Sequence, residues 1–141
     1  IMDMPGGGAA GGLGAGLVAF ADARLESGVA IVAEACGLGS RMDGADLVIT
    51  GEGRMDAQTV HGKTPAGVAR LARERGVPVI AFAGALGPGW KQLYDEGIAA
   101  MFAISDGPIS LKESLARTYE LLRDRAESAA RLWHLAKGGA D

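Results

Sequence analysis

Four side chains able to do chemistry crowd one short stretch, "TGEGRMDAQTVHGKT" (residues 50–64): Glu52, Arg54, Asp56 and Lys63. The two carboxylates can hold Mg2+ through oxygen or accept a proton. A guanidinium can grip a carboxylate or phosphate with two parallel hydrogen bonds. Thr64 is the expected N-cap of a helix, with Pro65 in its first turn. A helix N-terminus offers free N–H groups and the positive end of a dipole, which suits phosphate. Lys63 stands beside that positive end, where a lysine is repelled unless an anion sits between them. Cations, carboxylates and an anion-ready helix terminus are the parts that phosphoryl transfer uses. The plain alternative is a solvated turn, with Arg54 bridging to Glu52 or Asp56 for about 0–1 kcal/mol. Gly62-Lys63-Thr64 is not a Walker loop, because the glycine required five residues before Gly62 is replaced by Ala57.

Elements must hold these residues in place. "LVIT" (residues 47–50) is an apolar run bounded by turn residues and reads as a strand over Asp46–Thr50, buried on both faces. The chemistry-bearing segment then lies beyond its carboxyl end, where open α/β sheets bind ligands. Gly51 and Gly53 would let a ligand approach the backbone there. The helix from Thr64 carries Val68, Leu71 and Ala72 as its apolar stripe; Gly76 closes it and Pro78 prevents continuation. "VPVIAFAG" (Val77–Gly84) and "IAAMFAI" (Ile98–Ile104) are the next strands, with a short helix over Trp90–Glu96 between them. Ser110 and Glu113 form a capping box for one long amphipathic helix from Leu111, with Glu113–Arg117 and Glu127–Arg131 as i,i+4 pairs. Strand and helix alternate from Asp46 onward, which predicts an α/β fold: a parallel βαβ sheet with flanking helices. Upstream, "MPGGGAAGGLGAG" (residues 4–16) is a loop running into a helix, and Gly28–Ala35 is a second helix. The expected division is therefore a Gly-rich and helical segment over 1–45 and a βαβαβα, Rossmann-like segment over 46–141. Three strands are few for such a sheet, so either more strands lie upstream or the first 45 residues pack elsewhere.

Composition bounds the rest. The chain has 141 residues, 48% of them hydrophobic and 22% charged, which is globular composition. A net charge of −3 argues against a nucleic-acid partner. No apolar run reaches membrane-spanning length. The single cysteine, Cys36, forbids an internal disulfide, suits a reducing, cytoplasmic compartment, and is expected to be a small buried hydrophobe. His61 and His134 lack partners at metal spacing and receive no catalytic role. Asp106 follows the last strand and is read as a turn residue near the cleft. Trp90 and Trp133 are expected as packing anchors. The first residue is Ile rather than Met, so the chain reads as a piece of a longer product.

"DLVITGEGRMDAQTVHGKTPAGVARLARERGVPVIAFAG", with the upstream "PGGGAAGGLGAG", resembles the C-terminal part of the bacterial glycerate kinases of the type that makes 2-phosphoglycerate. The matching positions are Thr50, Gly51, Glu52, Gly53, Arg54, Asp56, Gln58, Thr59, Gly62, Lys63, Pro65, Gly67, Val68 and Ala69. The resemblance implies part of a two-lobed α/β fold with the active site between lobes. It implies transfer of the ATP γ-phosphate to a hydroxyl of D-glycerate, with Mg2+ as cofactor. It makes Glu52, Asp56 and Lys63 the candidate catalytic residues, with Glu52 and Asp56 as candidate magnesium ligands. It adds Thr50, Gly51, Gly53, Arg54, Gln58 and Thr59 as candidates for substrate or phosphate. It also places the segment Pro5–Gly14 along the cleft, where Gly6, Gly7, Gly8, Gly11 and Gly12 would let backbone amides reach an anion. Partners follow: D-glycerate, ATP and the N-terminal portion of the same protein. Exposed sheet edges further predict self-association of the isolated chain. Two other readings fit the same residues, a non-catalytic anion- or nucleotide-binding module and an inactive structural fragment.

Overall fold

A computed structural model describes residues 7–60 and 63–138. The Gly-rich start forms a 3-10 turn over Ala9–Gly12 and leads into α1 (Leu13–Ala21). Two short helices follow, α2 (Gly28–Ala35) and α3 (Leu38–Met42). The first strand, β1, spans Val48–Met55, and a 3-10 turn over Ala57–Val60 separates it from α4 (Thr64–Arg73). Next come β2 (Val79–Leu86), a 3-10 turn (Trp90–Tyr94) and β3 (Ile98–Ala103). Two helices close the described chain, α5 (Leu111–Ala116) and α6 (Thr118–Ala136).

The three strands form one parallel sheet in the order β1-β2-β3. The α/β expectation holds, with a correction to its first strand. β1 is an edge strand and Ile49 is 62% exposed, so it is not buried on both faces. That role belongs to β2, whose first five residues are all buried. Side chains alternate along β2. Val79, Ala81 and Ala83 join the core that includes Ala66, Ala69 and Ala72 of α4. Ile80 and Phe82 face the second core, with Leu121 and Ala129 of α6. The buried face of α4 is thus alanine, while Val68 and Leu71 of the expected stripe are only partly buried. Small residues let this helix lie close to the sheet.

Other boundaries moved for identifiable reasons. β1 continues through Gly51-Glu52-Gly53-Arg54 to Met55 because β2 pairs with it; Arg54 lies opposite Ala85 and Met55 opposite Leu86. Pairing overrides the low strand propensity of glycine and charge. Lys63, not Thr64, occupies the N-cap of α4, and no side chain caps that end. The expected long terminal helix breaks at Arg117, whose backbone leaves helical geometry while its side chain binds Asp106, Glu113 and Glu120. Cys36 is exposed rather than buried. Among the described residues the first 45 contribute helices and no strand, and α2 and α3 pack on α4. No described helix is long and apolar enough to cross a membrane.

Candidate active site

β1 carries the site's charges into a cleft. On the side toward α5 and α6 the sheet is incompletely covered, and Ile49 stays exposed there. A cavity of about 650 Å3 lies there, bounded by Ile49, Thr50, Phe82, Ile104 and the helix residues Leu111, Leu115 and Leu122. Gly51, Glu52, Gly53 and Arg54 line the same cavity. The glycines serve two different purposes. A Cβ on Gly51 would lie 2.9 Å from the Phe82 carbonyl oxygen, so this position is glycine for close strand contact. Gly53 has open space where its Cβ would be, and here the backbone is accessible to a ligand. Thr50 is half-buried at the cleft wall.

The four charged side chains form two coupled pairs. Lys63 Nζ lies 3.9 Å from Glu52 Oε1, bringing the N-terminus of α4 to the strand. Arg54 Nε donates to Asp56 Oδ2 at 3.2 Å. Lys63 also acts electrostatically on Asp56, which links the pairs. The second Glu52 oxygen, Oε2, is shielded from solvent and has no hydrogen-bond partner among the described residues. A buried carboxylate oxygen without a partner is costly.

Asp56 has a different environment. Its Oδ1 accepts from the Gln58 amide at 3.0 Å, and its own amide donates to Thr59 Oγ1 at 3.1 Å. The Thr59 amide donates to the Asp56 carbonyl at 3.0 Å. The Gln58 amide is the chief reason that the Asp56 carboxyl sits below its ordinary value of 3.8, and burial opposes it. The Arg54 hydrogen bond and the charges of Lys63 and Arg54 add to the lowering. Asp56 therefore caps the 3-10 turn that follows β1. Thr59, expected near the substrate, is fully buried and its hydroxyl is spent inside this turn. The Gln58 side chain is exposed, and its amide serves Asp56. Arg70 of α4 donates to the Val60 carbonyl at 3.0 Å, tying the turn to the helix.

The remaining sequence candidates are more scattered. Gly6, His61 and Gly62 lie outside the described residues. Gly7 is buried, whereas a Cβ on Gly8, Gly11 or Gly12 would meet no atom within 4 Å. Those three glycines stand clear of the β1 cleft, whose lining contains none of them. Asp106 accepts from Arg117 at 2.8 Å, and that bond is the main cause of its lowered pKa. His134 is exposed on α6. Trp90 packs on the core, and Trp133 is half-buried under Lys137, whose Nζ lies 5.3 Å from the ring centroid. Among the described residues no cluster of three or more His, Cys, Asp or Glu could hold a metal. Sequence reasoning missed the turn at Gly87-Pro88-Gly89, which packs beneath Arg54 and Asp56. Its signal was present, since Gly-Pro and Pro-Gly mark turns.

A glycerate kinase from Halalkalibacterium halodurans is 49% identical over 130 residues, which is 92% of this chain and 34% of that protein. A glycerate 2-kinase from Escherichia coli is 43% identical over 120 residues, covering 85% of this chain and 32% of its own length. A crystal structure assigned to glycerate kinase 2 of Salmonella typhimurium LT2 superposes with a TM-score of 0.71 at 40% identity. That match covers 99% of this chain and 35% of the Salmonella chain. This chain thus spans about a third of the length of these relatives. The sequence profile of the glycerate kinase family matches residues 1–134, and the chain belongs to that family.

Proposed function

We propose that the chain is the C-terminal part of an ATP-dependent kinase that transfers the γ-phosphate of ATP to a hydroxyl of D-glycerate, giving phosphoglycerate. The observation that carries this reading is the coupling of Glu52, Lys63, Asp56 and Arg54 at one end of β1. Lys63, at an uncapped helix N-terminus, attracts the phosphate that is being transferred. Arg54, with its side chain 62% exposed, offers donors to the carboxylate of glycerate or to a phosphate. Glu52 accepts the hydroxyl proton through its unpartnered oxygen. The hydroxyl oxygen then attacks the γ-phosphorus, and the bond from phosphorus to the ADP oxygen breaks.

The residues present also fit Mg2+. This cation is usually held by one or two carboxylates together with substrate phosphates, so a three-carboxylate cage is not needed. The Asp56 carboxylate, together with the substrate phosphates, is the group that would hold it, which leaves Glu52 Oε2 for the proton. When bound, the ion neutralises charge on the phosphates. The opposing lobe of the cleft is assigned to the region of the relatives that this chain does not span.

The test is ADP release, coupled to a second enzyme, with D-glycerate, ATP and Mg2+ in the protein carrying this chain. Glu52→Gln keeps the shape and removes the base. It is expected to lower kcat by about 10²–10⁴-fold. An unchanged kcat would remove Glu52 from the chemistry. Binding of both ligands without turnover in the wild type would instead support the non-catalytic module.

A further inference from the structure

β2 ends at Leu86, and the chain turns at once through Gly87-Pro88-Gly89. This turn is stitched to both sides of Asp56. The Gly87 amide donates to the Met55 carbonyl at 2.7 Å, and the Ala57 amide donates to the Pro88 carbonyl at 3.0 Å. Gly87 is buried although Pro88 beside it is exposed. A Cβ on Gly87 would lie 2.8 Å from Arg54 Nη2, 3.0 Å from Arg54 Nε and 3.1 Å from Asp56 Cβ. Arg54 Nε is the atom that donates to Asp56. A side chain at 87 would therefore press on the guanidinium at the point where it makes its ion pair. Gly89 adds a second constraint. Its φ is +77°, and a Cβ there would come within 2.7 Å of Ala57 Cβ.

We propose that the Gly87-Pro88-Gly89 turn is a positioning element for Arg54, holding the guanidinium on Asp56 so that it meets an incoming anion already oriented. This rests on the assignment of Arg54 to anion binding made under Proposed function. The physical need is plain. An arginine this exposed keeps many rotamers, and each must be surrendered when a ligand binds. A wall beneath the guanidinium and a carboxylate beside it remove most of that freedom beforehand.

The experiment compares wild type with Gly87→Ala by two readouts. The first is the Arg54 Nε–H resonance in 15N-edited NMR, whose slow solvent exchange reports the bond to Asp56. The second is steady-state kinetics with D-glycerate in the protein carrying this chain. The alanine variant is expected to lose the protected resonance. It should raise KM for glycerate about 10–100-fold, the loss expected for a hydrogen bond to a charged group, with kcat little changed. A protected resonance in the variant overturns the proposal. A lost resonance with unchanged KM leaves the turn's hold on Arg54 standing and removes Arg54 from anion binding. Should Gly87→Ala fold poorly, the double variant Gly87→Ala/Arg54→Ala decides the matter. Deleting the guanidinium removes the two closest of the three contacts, so part of the lost thermal stability should recover relative to the single variant. No recovery also overturns the proposal.

Discussion

Glu52 and Asp56 are two carboxylates four residues apart, and their surroundings differ. Asp56 spends one oxygen on the Gln58 amide and the other on Arg54, and both contacts favour its charged form. Such a carboxylate is a poor proton acceptor, because its basicity has already been satisfied. Asp56→Ala should therefore act on structure and on the apparent affinity for Mg2+ rather than on proton transfer. Losing the cap lowers the midpoint of thermal unfolding by a few degrees, and Arg54 loses its partner, which raises KM. At saturating Mg2+, kcat should stay within a few-fold of wild type. A fall of about 10²–10⁴-fold without unfolding would transfer the base role from Glu52 to Asp56. Thr59→Val gives the matching control. It breaks the bond to the Asp56 amide from a fully buried position and should reproduce the loss of stability. The sequence showed that these residues belong together, because charges and glycines cluster where an apolar run ends. It could not show which oxygen would be left over, since that depends on how the 3-10 turn folds back.

At the level of elements, carboxylates and a glycine fasten the joints. Asp46, just before β1, pairs with Lys137 beyond the end of α6, and this bond is the main cause of its lowered pKa. Asp106, after β3, pairs with Arg117 at the break between α5 and α6. With Asp56, three carboxyls thus sit below their ordinary value of 3.8 in the folded chain. Above that value they are charged in both the folded and the unfolded states, and their contribution is complete. As pH falls below it, the unfolded chain takes up protons first, so stability declines. Chemical denaturation should accordingly give a plateau above about pH 5 and a fall between about pH 4 and 2. Replacing Asp106 by Asn should reduce that fall. The end of α4 provides a sharper test. The Gly76 amide donates to Arg73 and the Val77 amide to Ala72, with Gly76 at φ +68°. This is a Schellman motif, and Gly76→Ala should cost about 1–2 kcal/mol in denaturant unfolding. That stop was legible from Gly76 and Pro78 alone. The end of β1 was not, because glycine and charge argue against a strand until β2 is there to pair with it. The break at Arg117 was hidden for a related reason: the apolar period continues across it, and the Asp106 contact that accompanies the break is distant in sequence.

On the scale of the whole molecule, too much apolar surface is left uncovered. Phe20 is 93% exposed on α1. Leu111, Leu115, Leu132 and Leu135 of the last two helices, and Ile49 on β1, are all more than half exposed. β1 adds an open edge with unpaired backbone groups. A long exposed edge beside apolar side chains is a template for pairing with another chain. The relatives supply about twice as much further sequence as this chain contains, and their residues are available to cover such faces. For the isolated chain, a second copy is the available cover. Fully burying one leucine or isoleucine contributes about 1.5–3 kcal/mol. Association costs roughly 4–15 kcal/mol in lost freedom of motion. Half a dozen such residues are of the same size as that cost, so self-association should be real but dependent on concentration. Sedimentation velocity over a hundredfold range of concentration is expected to show the weight-average mass rising above that of the monomer. Leu111→Ser with Leu115→Ser should suppress the rise, because both residues line the open cleft beside β1. A chain that stays monomeric across the whole range would show that burying these side chains and the strand edge does not offset the cost of association.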